Sequence, residues 1–136
     1  MKFLRDKRAE TIIATILLIV MVMTLIATFI TIFPLFVVKT KVDEIAAQLT
    51  RVIELTGETG SEYASELADL RSATGLDPAV SVQPAVEQYQ LREQFTVTVS
   101  VNASVNIFTP SFGEPLAISV PISKTMTGRS EVYFKP

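Results

Sequence analysis

The chain has 136 residues, with 12 Lys and Arg against 14 Asp and Glu, and it contains no Cys, His or Trp. This composition excludes disulfides, thiolate or imidazole metal centres, and catalysis through a Cys nucleophile or a His base. A slightly acidic chain also lacks the basic surface that nucleic acid requires, so no nucleic-acid partner is expected.

Residues 1–10 form a basic tip. Lys2, Arg5, Lys7 and Arg8 stand against Asp6 and Glu10, a net +2. Residues 39–136 carry 8 basic and 12 acidic side chains, a net −4. Between them, residues 11–38 read TIIATILLIVMVMTLIATFITIFPLFVV, 28 residues without a charge. A run of this kind predicts a membrane-spanning helix. At 1.5 Å per residue it would be about 42 Å long against about 30 Å of hydrocarbon, so part of it should leave the lipid while still apolar. Pro34 lies in that surplus and is expected to kink the helix. The run is longer than a signal-peptide core and no A-x-A site follows it, which predicts a retained anchor. The charge asymmetry predicts a cytoplasmic N-terminus and an exported domain, a single-pass protein of the cell membrane.

Glu10 stands at the mouth of the run, where the helix dipole favours a carboxylate. It reads either as an interfacial residue that reaches water or as an intersubunit contact paired with Lys7 or Arg8 of a neighbouring copy. Thr24, Ala27, Thr28 and Thr31 share one helical face. Small and hydroxyl residues there suit close helix–helix approach; alternatively, each Thr bonds back to its own helix.

After Pro34 an apolar stripe at Val38, Val42, Ile45, Leu49, Val52 and Thr56 predicts an amphipathic continuation that ends at the GETG of residues 57–60. Ser61 is expected to cap a second helix whose apolar face is Tyr63, Leu67 and Leu70 and whose stop is Gly75. The period then changes to two. Val80 and Val82 predict a short strand. Phe95, Val97, Val99, Val101, Ala103, Val105 and Ile107 predict a long one with a bulge near Asn102 and Ala103. Residues 109–115 should form a connection. Leu116, Ile118, Val120 and Ile122 predict a further strand, with Pro121 marking an edge or bulge. Gly128 should break the chain before a last short strand over residues 130–134. Short links favour an antiparallel sheet, with the Val42 to Val52 stripe as its cover. The predicted class is α+β: a long transmembrane helix continuing into an amphipathic helix packed on a small antiparallel sheet.

No nucleotide-binding loop, dinucleotide fingerprint or zinc-protease motif occurs. Ser123 and Lys124 are adjacent, which on a strand sends them to opposite faces. No enzymatic activity, cofactor, metal or small-molecule substrate is expected.

The order of these features, a charged tip, a Glu ahead of a long apolar helix, a Pro, an amphipathic upper half and a C-terminal sheet, resembles a type IV pilin or pseudopilin. The segment AETIIATILLIV is similar to the start of TadE-like pseudopilins. A resemblance over nearly the whole chain is carried by FPLFVVKTKVDEIAAQLTRVIELTGETG, TGLDP and the terminal TGRSEVYFK. These blocks look like the family called domain of unknown function 4320, associated with Gram-positive bacteria and conjugative elements. The resemblance implies a structural subunit of a pilus, conjugation or secretion apparatus at the cell surface. Its partners would be the bilayer and pilin-like or secretion proteins, itself included. Pilin precursors carry a small residue before the cut, with Glu fifth in the mature chain. Counting back from Glu10 puts Arg5 at that place, so prepilin processing is not expected. The alternative is a monomeric anchored module that binds another exported protein through residues 109–115 with Phe108 and Phe112. Two aromatics so placed are otherwise expected to pack on their own sheet.

Overall fold

The computed structural model describes the backbone of residues 2–108 and 112–135 and the side chains of residues 7–106 and 112–135. The first part of the predicted 109–115 connection lies outside the described residues. So do the side chains of Lys2, Arg5, Asp6, Ile107 and Phe108. The chain divides into two compact units, Met1–Pro34 and Leu35–Pro136.

Helix α1 runs over Lys2–Thr56 and contains Pro34. It begins earlier than residue 11, because the tip is rich in Lys, Arg, Leu and Ala and holds no Gly or Pro to oppose helix. In the first unit the large apolar side chains are exposed all round the helix: Leu17 66 %, Phe29 68 %, Ile30 68 % and Phe33 68 %. Length and composition make α1 a possible membrane span.

In the second unit α1 supplies half the core. Val42, Ile45, Ala46, Leu49 and Ile53 are fully buried. The expected stripe placed Val52 in that row, but Val52 is only half-buried and Ile53 takes the position. A strict 4-3-4-3 pattern has a period of 3.5, and a straight helix of 3.6 drifts about 20° per heptad away from it. Over the length of this stripe the drift turns Ala46 and Ile53 inward. Gly57 ends α1 in the left-handed region at φ 68°, its N–H bonded to the Ile53 carbonyl at 2.8 Å. A side chain is poorly tolerated at that φ, so Gly is the natural stop.

Helix α2 covers Ser61–Thr74 and ends on left-handed Gly75. Gly60, not Ser61, occupies its N-cap, and no side chain caps it. Ser61 comes one residue too late to act as the cap, and Gly is itself an acceptable cap. Leu70 is buried, with Tyr63 and Leu67 packed against the same core.

Three strands follow: β1 (Ala79–Gln83), β2 (Gln94–Phe108) and β3 (Leu116–Arg129). They form one antiparallel sheet in the order β1-β2-β3. The fold is α+β. Phe95, Val97 and Val99 of β2 are buried against the α1 residues, so the alternation in β2 and the stripe on α1 do cover one another. Tyr89, on the β1–β2 connection, packs against Phe95 with ring centroids 5.2 Å apart and the rings tilted by 41°. Its hydroxyl donates to the Pro84 carbonyl at 2.6 Å.

Three strand-level expectations are corrected. Asn102 and Ala103 pair regularly with Pro121 and Val120, and the irregularity falls between Asn106 and Phe108. Pro121 needs no bulge because β3 is an edge strand. Gly128 does not break the chain; it lies within β3 opposite Phe95. Residues 130–134 form no strand. Their backbone bonds elsewhere: Ser130 N–H to the Glu93 carbonyl, Glu131 N–H to the Glu54 carbonyl and Phe134 N–H to the Gln90 side chain. The terminal segment thus ties the end of α1 to the sheet.

Gly128 is required by close approach. A Cβ there would meet Phe95 Cζ at 2.6 Å, Thr50 Cγ2 at 2.8 Å and Glu54 Oε1 at 2.9 Å. Phe95 cannot retreat, because its ring is buried against Tyr89. Gly128→Ala should therefore destabilise the second unit by about 1–3 kcal/mol, the usual cost of overpacking. Denaturant unfolding of the purified protein measures this, and an unchanged midpoint would contradict the packing described.

Candidate functional site

The candidate residues divide between the two ends of the apolar run. At its start, Lys7, Arg8 and Glu10 lie on α1 with exposed side chains. Residues three apart on a helix are neighbours, so Lys7 and Glu10 share a face. Among the described residues, Glu10 forms no ion pair. It is an exposed carboxylate at the edge of an apolar surface.

Further along, Thr24, Thr28 and Thr31 are exposed, or half-buried in the case of Thr31. Each hydroxyl donates to its own i−4 carbonyl: Thr24 to Val20 at 2.8 Å, Thr28 to Thr24 at 2.8 Å and Thr31 to Ala27 at 2.9 Å. The back-bonding alternative is therefore what the structure shows for these three residues. The back-bonds satisfy each hydroxyl within the helix, and each threonine then behaves as a small, non-polar surface group. Thr24 and Thr28 line one shallow groove with Met21, Leu25, Phe29 and Ile32. Thr31 is not part of that lining. Pro34 lies inside α1 as the last residue of the first unit. Having no N–H, it cannot bond the Ile30 carbonyl.

In the second unit several charged side chains form ion pairs. Arg51 bridges Glu54 and Glu131, each at 3.3 Å, and Arg71 meets Asp77 at 3.1 Å. These are exposed pairs of small energetic weight. Burial raises the Tyr63 hydroxyl above its ordinary pKa, with Arg71 opposing. Burial likewise raises Tyr89. Both rings pack in or against the core, which accounts for the shifts. Ser123 pairs with Ser100 and Lys124 with Val99, so the two point to opposite faces of the sheet. Among the described residues, no group of three Asp or Glu is placed to hold a metal ion.

The expectation that Phe112 packs on its own sheet is overturned: it is 95 % exposed. Leu116 and Ile118, the first inward residues of β3, are 60 % and 49 % exposed. Sequence reasoning treated all three as sheet core or loop packing. The signal that separates them is reach. The covering stripe on α1 is shorter than β2 and β3, and apolar alternation alone does not say where the cover stops.

No curated protein and no solved structure matches the chain. A family model described as Domain of unknown function (DUF4320) matches residues 17–135. The match takes in most of the apolar run, both helices of the second unit and the whole sheet, and it begins after Glu10. Spanning that much of the sequence, it establishes that the chain belongs to the DUF4320 family.

Proposed function

We propose that this protein is a membrane-anchored, pilin-like structural subunit of a pilus, conjugation or secretion apparatus, with its N-terminus in the cytoplasm and residues 39–136 outside the cell. The observation that carries the proposal is the first unit: a helix exposing large apolar side chains on every side, opened by a carboxylate without an ion pair among the described residues. Such a surface is stable only in lipid or against other helices. The resemblance to TadE-like pseudopilins and to a family associated with conjugative elements of Gram-positive bacteria supports the same reading. The subunit acts by packing rather than by chemistry. Helices meet below through the Thr24 and Thr28 face, with Glu10 taking a cation from Lys7 or Arg8 of a neighbour. The folded units meet above.

The chain has no cysteine, so single Cys residues placed in turn over residues 16–31 report neighbours without background. Oxidative cross-linking in membranes should give dimers at positions repeating every three to four residues and including Thr24 and Thr28. A monomeric anchored binding module, the competing reading, gives no ladder at all.

A further inference from the structure

The second unit carries two clefts of opposite character. The first lies where the end of α1 meets the end of β3 and the turn over residues 90–93. It has a volume of about 530 Å³, and its lining includes Glu54, Arg92, Thr127, Arg129 and Glu131. Both carboxylates are already engaged. Arg51 meets Glu54 and Glu131 at 3.3 Å each, and the Arg129 N–H donates to Glu54 as well. Glu93, beside Arg92, is drawn into its own turn and accepts the Gln90 N–H at 2.8 Å. The guanidinium groups of Arg92 and Arg129 form no ion pair among the described residues. Arg92 is also the third residue of a turn closed by the Glu93 N–H on the Gln90 carbonyl at 2.8 Å, and it holds φ 68°. Gly or Asn is the usual residue at such a place. The turn itself gives no reason for an arginine.

The second cleft is a groove between α1 and α2 of about 380 Å³, whose lining includes Lys41, Glu44, Glu66, Asp69 and Ala73. Its one ammonium is committed, since Lys41 Nζ donates to the Thr74 carbonyl at 2.8 Å. Glu44, Glu66 and Asp69 form no ion pair among the described residues. One Lys against three carboxylates leaves this groove acidic. A cluster of carboxylates alone is a solvated face. Here the same unit also displays two unpaired guanidiniums, the group that binds carboxylates through paired N–H bonds. Within one copy the two sets do not meet.

We infer that the Arg92 and Arg129 cleft of one copy receives the Glu44, Glu66 and Asp69 groove of the next; the inference rests on the reading of the chain as a subunit of an assembly and names the contact its folded units make. Complementary charge selects the second copy as the occupant. Glu54 and Glu131 border the guanidiniums and confine an incoming carboxylate to them. The two surfaces differ, so the contact is heterologous. Every joined pair keeps a free cleft and a free groove, and the row extends copy by copy instead of ending at a two-fold dimer. Two units joined in parallel are displaced by about 15 Å along α1, the ten-residue rise from Glu44 to Glu54. The charges are exposed or half-buried, so the contact weakens as salt rises.

The absence of Cys supplies the test. Full-length copies bearing Thr127→Cys, at the cleft, and copies bearing Ala73→Cys, at the groove, carry tags of different size. They are reconstituted together in phosphatidylcholine vesicles and treated with a short bismaleimide. Dimers should form between the two kinds of copy and not within either kind. Dimers within one kind mean a two-fold contact and overturn the inference. Arg92→Glu with Arg129→Glu in both kinds should cut the mixed product roughly tenfold or more, and so should Glu66→Arg with Asp69→Arg. All four reversals together should restore it, because the attraction returns with its signs exchanged. Arg92→Gly suits the φ of the turn, so it should unfold no earlier than the unsubstituted chain and still weaken the product. A mixed product that ignores the reversals, or that the four together do not restore, overturns the inference. The ladder over residues 16–31 is read in parallel. A ladder without the mixed product removes this contact and leaves the subunit reading in place. Loss of both removes both.

Discussion

A fragment starting at Gly57 should not fold. It retains Phe95, Val97 and Val99 but loses Val42, Ile45, Ala46, Leu49 and Ile53, all of them fully buried in the intact unit. Each large aliphatic side chain contributes about 1.5–3 kcal/mol by burial, and a small domain holds only about 5–15 kcal/mol of net stability. Removing four such residues and an Ala at once consumes that margin. The loss also frees the backbone that docks the terminal segment, since Glu131 N–H bonds the Glu54 carbonyl and Arg129 N–H the Glu54 carboxylate. A fragment of residues 38–136 keeps the whole interface and should melt cooperatively. Both fragments are compared in the same zwitterionic detergent by circular dichroism melts and sedimentation. Equal melting temperatures would mean that α1 does not cover the sheet. The milder Leu49→Ala should lower stability by about 2–5 kcal/mol in the full chain.

Glu10→Gln should abolish or strongly impair assembly while leaving insertion and folding unchanged. Glu10 lies in the first unit and forms no ion pair among the described residues, so the second unit does not depend on it. Its expected role begins when copies pack side by side with an axial offset that carries it toward hydrocarbon. An unpaired carboxylate there costs at least about 2.5–3.5 kcal/mol, whereas one paired with a neighbour's Lys7 or Arg8 does not bear that cost. The pairing therefore selects one stagger. Glutamine keeps the shape and removes the selection. Cysteine cross-linking along residues 16–31 in the Glu10→Gln background, together with a conjugation or secretion assay, checks it. A ladder and a transfer rate equal to those of the unsubstituted protein would reduce Glu10 to a residue that merely reaches water, and the pilin-like proposal would lose its main physical support.

Sequence by itself determined the class of nearly every element, for reasons that are local. The run over residues 11–38 is helical because nothing in it can do anything else at that length. The change of period near Ala79 marks strands, and left-handed Gly57 and Gly75 end the two helices because other residues resist that backbone. The pairing of the α1 stripe with the β2 alternation was also legible, since each apolar face needs a cover and the chain offers one of each. Tertiary structure decided what depends on distance. Ile53 displaced Val52 because helical drift accumulates along the stripe. Gly128 proved to be a point of close approach to Phe95 and Thr50, which no local pattern encodes. The segment over residues 130–134 docks on Glu54, Glu93 and Gln90 instead of pairing as a strand, because partners far away in sequence satisfied its backbone first. Phe112, Leu116 and Ile118 read as ordinary sheet residues by period alone. Only the relative lengths of helix and hairpin, set once the two are packed, leave them uncovered.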